Sequence, residues 1–253
     1  MTVTELYKKI CHFFPEDLRC DWDNDGIMVC PDSNAEVKKV LLSLDVTEEI
    51  VDYAIDRGFD LIISHHPLIF KPLTRVTEDN HVSRKVVKLI ANAISVFSFH
   101  TRADRASGGV NDRLAEILGL TNTEPFGEDG LGRIGTLTEE YELEIFADAV
   151  KLALGADSIK VAEGYNTVKR VAVVGGDGKD FTLDALKMGA DTFVSGRLSY
   201  NVMEDAADMG INLIEAGHYF TELPITEAFS EIITKLDADI YTEIADSNMI
   251  RTV

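Results

Sequence analysis

The segment that most constrains the fold is a strand, a capped helix and a second strand in close succession, running straight into two histidines. KKVLLSLDV (Lys38–Val46) reads as a buried strand. Thr47 follows as a helix N-cap, with Glu48 and Glu49 in the first turn, where carboxylates suit the positive end of the helix dipole. Ile50, Val51, Ala54 and Ile55 give that helix an apolar face, and Gly58 can end it. DLIIS (Asp60–Ser64) is then a short apolar strand. A βαβ unit of this kind requires parallel pairing with helices covering the sheet, so the expected class is α/β.

The unit recurs. AIDRGFDLIIS (Ala54–Ser64) and ALKMGADTFVS (Ala185–Ser195) repeat Ala, Gly, Asp and Ser at matching offsets, and AADMGINLIEA (Ala206–Ala216) keeps the Ala and the Gly. Each reads as a helix end, a glycine cap and a strand, which suggests two related α/β halves. Further strands are expected at Ile94–Phe99 and Val168–Gly176, and helices from Thr4 to before Pro15, at Asn111–Leu120 and at Glu142–Leu154. The stretch TNTEPFGEDGLG (Thr121–Gly132) lacks apolar periodicity and carries three glycines, so the expected domains are residues 1–124 and 125–253.

Composition excludes several function classes. With 253 residues and 45% hydrophobic side chains, the chain can bury a substantial core. Forty-four acids against twenty-four bases give a net charge of −20. Such a surface repels phosphate backbones and anionic lipid, so neither sequence-independent nucleic-acid binding nor a membrane partner is expected. Cys11, Cys20 and Cys30 form no C-x-x-C pair, which argues against a disulfide framework or a thiolate metal site. No signal peptide or long apolar run is visible, and a cytoplasmic location is expected.

Ligands of open α/β sheets bind beyond the carboxyl ends of the strands. His65 and His66 follow DLIIS; His100, with Asp104 four residues on, follows ISVFSF; His218, with Glu222 four residues on, follows INLIEA. Four of six histidines at three equivalent strand ends, with carboxylates beside them, point to a metal site. Imidazole and carboxylate without thiolate suit Zn, Fe, Mn, Co or Ni. Adjacent His65 and His66 project differently from an extended backbone, so two metals are the natural arrangement, held ~3.5–4 Å apart in dinuclear sites that activate water for hydrolysis. His218 and Glu222 can share one face of a helical turn. His100 stands as a ligand or as the partner that orients one. GGDGKD (Gly175–Asp180) matches neither the phosphate-loop nor the dinucleotide pattern and reads as a glycine turn into a helix, with amides that could hold an anion.

WDNDGIMV (Trp22–Val29), SHHPLIF (Ser64–Phe70), HTRADRASGGVNDRLAEILGL (His100–Leu120), VVGGDG (Val173–Gly178) and GHYFTE (Gly217–Glu222) occur in this order. Together they resemble the GTP cyclohydrolase 1 type 2 homologue family, also called NIF-three-like dinuclear-metal proteins, over nearly the whole chain. The resemblance implies two α/β domains with mixed sheets flanked by helices, a dinuclear metal centre in the cleft between them, and a ring-shaped homohexamer. It places the metal ligands on His65, His66, Asp104, His218 and Glu222, with His100 close by as a candidate proton shuttle. Three positions depart from the family pattern: Arg102 replaces an Asn, Arg197 an acid and Asn201 a His.

The function expected from this resemblance is a metal-dependent hydrolase that opens the guanine ring of GTP with release of formate. Arg102, Arg105 and Arg197 are the candidates for holding a nucleotide's phosphates. The alternatives are a metal-binding or regulatory scaffold without turnover, and a dinuclear phosphoesterase.

Overall fold

The computed structural model describes residues 1–127 and 129–253, in two compact units. One unit comprises Met1–Ala106 with Ile225–Met249, and the other Ser107–Pro224 with Ile250–Val253. The division is thus earlier than residue 124, and the chain returns to its first unit. The helix Ile225–Leu236 and the strand after it complete the first sheet, which is why a single cut between halves does not describe the chain. Glu128, in the expected linker, lies outside the described residues.

Among the described residues the first unit holds strands β1 (Gly26–Val29), β2 (Lys39–Ser43), β3 (Leu61–Ser64), β4 (Ser95–Ser98) and, late in the chain, β11 (Tyr241–Ile244). Their order is β1-β4-β3-β2-β11, with β1 antiparallel and the others parallel. Strands β2, β3 and β4 are buried on both faces, as their unbroken apolar runs require. Leu41, Ile62 and Val96 pack with Ile50, Ala54 and Leu89 of the covering helices. Phe97 and Phe99 meet Tyr7, and Phe99 also meets Phe14 and Phe229.

The second unit holds β5 (Thr121–Phe126), β6 (Gly132–Tyr141), β7 (Lys160–Ala162), β8 (Val168–Asp177), β9 (Thr192–Arg197) and β10 (Asn212–Glu215), ordered β5-β6-β8-β9-β10-β7. Only β8-β9 and β9-β10 are parallel, so this sheet is mixed as well. Val171 and Val173 of β8 join one core, Ala172 and Val174 the other. The stretch read as a linker is largely an edge strand. All but the last residue of β5 are exposed, so burial imposes no apolar alternation on it.

The repeated segments fold alike. Gly58, Gly189 and Gly210 end their helices at φ 64°, 80° and 69°. In each, the next amide donates to the carbonyl of the repeated alanine: Phe59 to Ala54 at 2.9 Å, Ala190 to Ala185 at 3.0 Å, Ile211 to Ala206 at 3.2 Å. The repeated aspartates match too. Asp60 accepts from the amides of Lys38 and Lys39, and Asp191 from those of Lys169 and Arg170. Both units are therefore built on the same helix-cap-strand device.

Candidate metal centre

In the first unit the site begins where β3 stops. The Ser64 hydroxyl donates to the carbonyl of His66 at 2.8 Å, turning the chain so that His65 is fully buried and His66 half-buried. β4 leads to His100 and then into the short helix Thr101–Arg105, which carries Asp104. His65, His66 and His100 bring ring nitrogens within 4.8 Å of one another.

Each imidazole is oriented through Nδ1, which lies 2.9 Å from the Phe99 carbonyl in His65, 2.8 Å from Asp45 Oδ1 in His66 and 2.8 Å from Asp23 Oδ1 in His100. A carbonyl or carboxylate oxygen only accepts, so in each ring Nδ1 carries the proton and a neutral ring has its lone pair on Nε2. That is the tautomer a metal ligand needs, held as outer partners hold ligating histidines. Nε2 of His65 lies 3.5 Å from Oδ1 of Asp104. In this tautomer both atoms are acceptors, and a divalent cation is what such an opposed pair stabilises.

Asp23 and Asp25 hold the His100 turn. Asp23 Oδ2 accepts from the Thr101 amide at 3.1 Å and hydroxyl at 2.7 Å, and Asp25 Oδ2 accepts from the His100 amide at 3.2 Å. Burial pushes the Asp23 carboxyl up, but the hydrogen bond and charge of His100 and the bonds from Thr101 outweigh it and bring it to about 2. For His100 burial acts downward and is outweighed by the hydrogen bond it donates to Asp23 and the charges of Asp104 and Asp23, so its imidazole is raised above its ordinary value.

In the second unit β10 ends at Glu215, and Gly217 at φ 89° turns the chain into the helix His218–Glu222. One turn brings His218 Nε2 to 3.0 Å from Glu222 Oε2. The carboxyl ends of β8 and β9, which carry Gly175, Gly176 and Gly196, form the wall behind them. A Cβ on Gly176, at φ 67°, would lie 2.1 Å from Glu222 Oε1, and one on Gly196 would lie 2.8 Å from His218 Cα. Only glycine permits that approach. The amides of Gly175 and Gly176 are given to Asn111 Oδ1 and Thr221 Oγ1, so the expectation that the segment Gly175–Asp180 could hold an anion is corrected for these two groups.

The arginines divide. Arg102, expected near a phosphate, is wholly buried: its guanidinium donates to Asp25 Oδ2 at 2.9 Å, Tyr7 Oη at 3.0 Å and the Phe14 carbonyl at 3.2 Å, and lies 4.7 Å from the centre of the Phe99 ring. It braces the core beneath the Asp104 helix and is no surface cation. Burial acts on it downward, yet its partners Tyr7 and Asp25 raise it, so it stays charged. Arg105 donates to the Leu18 carbonyl. Arg197 ends β9 with its side chain 70% exposed, 3.9 Å from Asp177, and Asn201 lies exposed on the helix Tyr200–Glu204.

Sequence reasoning placed the histidines but assigned no role to Asp23, Asp25 or Asp45. Asp45 follows β2, so the strand-end rule that found His65 also reaches it. Asp23 and Asp25 alternate with exposed Trp22 and Asn24 in WDNDGI, and their burial comes from distant partners, His100 and Arg102, that no local pattern shows. The donor set of both units, imidazole and carboxylate with oriented rings, fits a transition metal such as zinc or iron.

A family model described as Duf34/NIF3 (NGG1p interacting factor 3) matches residues 1–252. A Clostridium perfringens protein named GTP cyclohydrolase 1 type 2 homolog is 36% identical over 248 residues, covering 95% of this chain and 94% of its own. One of the same name from Methanocaldococcus jannaschii is 31% identical over 242 residues, covering 95% and 98%. Among solved structures, a Bacillus cereus protein related to NIF3 superposes with a TM-score of 0.88 at 25% identity, covering 100% and 99%. A Staphylococcus aureus hypothetical protein gives 0.90 at 27%, with the same coverage.

Proposed function

The chain belongs to the Duf34/NIF3 family, and from that premise we propose that it is a dinuclear-metal-dependent hydrolase acting on GTP, opening the guanine ring with release of formate. The observation that carries the reading is the pair of imidazoles, His65 and His66, whose Nδ1 atoms are held by protein oxygens, which leaves their Nε2 lone pairs for a ligand role. We assign His65, His66 and Asp104 of one unit and His218 and Glu222 of the other to a single centre. A pair of divalent ions bound there supplies Lewis acidity and brings the pKa of water from ~15.7 toward ~7.

The chain's own groups do the rest. Asp45 and the Phe99 carbonyl fix the rings of His66 and His65. His100, gripped by Asp23, is the group able to take up and return a proton, because a carboxylate on Nδ1 stabilises the imidazolium form. Arg197 is the exposed cation suited to a phosphate, and Arg105 a second candidate at shorter reach. Assembly into a six-membered ring belongs to the same proposal, and light scattering should report about six chains per particle.

Formate release from GTP tests the reaction. It should cease on chelation and return with added metal. Protein that binds two ions and yields no formate with any of the five metals would instead be a binding or regulatory member of the family.

A further inference from the structure

Two large aromatic side chains stand in solvent beside the histidine cluster. Trp22 is 65% exposed and Phe70 46% exposed. Their ring centres are 6.3 Å apart at 70°, and each lies 6.2 Å from the ring of His100, at 79° and 90°. The three rings are thus mutually steep, making an open corner with two apolar walls and an imidazole floor.

The corner is held by its surroundings. Trp22 adjoins Asp23, which is locked onto His100 and Thr101, and Asp25 two residues on takes Arg102 and the His100 amide. The exposed Asn24 between them donates through Nδ2 to the Ile69 carbonyl, tying the Trp22 loop to the loop that bears Phe70. That second loop is anchored by Leu68, which is buried in the core. The backbone that bears both aromatics is thereby anchored on either side of the corner. Exposed apolar surface on anchored backbone, next to polar groups, is the arrangement of a ligand wall.

We propose that Trp22 and Phe70 bind the planar heteroaromatic ring of the substrate, a purine-type base, stacked on one wall and edge-on to the other. Steep aromatic pairs favour one such face and one such edge contact, and the imidazole floor meets the polar rim of a heterocycle where a purely apolar ligand would meet nothing. This assignment rests on the hydrolase reading above and adds the group that recognises the base.

Trp22 is the chain's only tryptophan, so its fluorescence reports on this corner alone. Metal-loaded protein is titrated with guanosine, with GTP and with inorganic tripolyphosphate, and metal content is measured on the same samples. Guanosine and GTP should quench saturably, and tripolyphosphate should not. Phe70→Ala should weaken the quench-derived Kd for guanosine about tenfold, the scale of one lost base-aromatic contact, at unchanged metal content, and Phe70→Tyr should restore it. The proposal is overturned by absence of quenching with guanosine and GTP in protein that holds its metals, by a Phe70→Ala variant that binds guanosine as tightly as the natural chain, or by a Trp22 signal that follows protein concentration instead, which would mark a contact between copies. Saturable guanosine quenching in a protein that retains no metal would overturn the hydrolase reading and leave the aromatic corner standing.

Discussion

Asp45 Oδ1 lies 2.8 Å from His66 Nδ1, so a residue just past the end of one strand orients the histidine just past the end of its neighbour. Carboxylates that orient ligating histidines are worth 10–100-fold in metal affinity. Asp45→Asn should therefore lower metal affinity by about that factor while leaving thermal stability nearly unchanged, since the Asp45 side chain is 43% exposed. Competition with a chelator of known affinity, beside a melting curve, checks both halves.

The glycine wall of the second unit makes a different prediction. Gly176→Ala would place a methyl group 2.1 Å from Glu222 Oε1 at a positive φ, so the carboxylate must move. Metal retention should fall sharply. Gly58→Ala serves as the control: it carries the same backbone cost of about 1–2 kcal/mol, but nothing lies within 4 Å of the added methyl. That variant should melt earlier and keep its metal, as metal analysis after gel filtration would show.

Acid should act through Asp23. Its carboxyl is depressed from 3.8 to about 2, so its stabilisation is complete above the ordinary carboxylate range and lost as pH falls toward 2. Asp23→Asn should reduce stability near neutrality by about 1–2 kcal/mol once solvent screening is allowed for. The gap from the natural chain should narrow as pH drops below about 4. Asp25, which burial raises against the pull of Arg102, titrates in both proteins and loses in the variant only the smaller upward push of the Asp23 charge. Urea unfolding across that range, in metal-free protein, measures the gap.

How much of this was legible in the sequence depends on how local each signal is. The helix caps at Thr47 and Gly58 and the strands on either side of the helix are written in a few consecutive residues; the structure has both caps as read and the second strand within a residue, while the first ends at Ser43, three residues before the expected Val46. The histidines were visible because each follows an apolar run. Asp23 was not, because its partners His100 and Thr101 are 77 and 78 residues away and no spacing rule connects them. Arg102 misled for the same reason: an arginine between His100 and Asp104 looks like a cation at the site, until Asp25 and Tyr7 from distant segments take its guanidinium inward. The strand β11 joins the first sheet through a parallel pairing with β2 about 200 residues earlier, a contact of the same non-local kind.

Metal stoichiometry in single and double variants tests most directly the claim that both half-sites serve one dinuclear centre. Elemental analysis of the natural chain should give about two transition-metal ions. His65→Ala and His218→Ala should each lower that number and the pair should nearly abolish it, while Cys11, Cys20 and Cys30 changed to Ser should leave it intact. Full metal occupancy in the His65/His218 double variant would contradict the account.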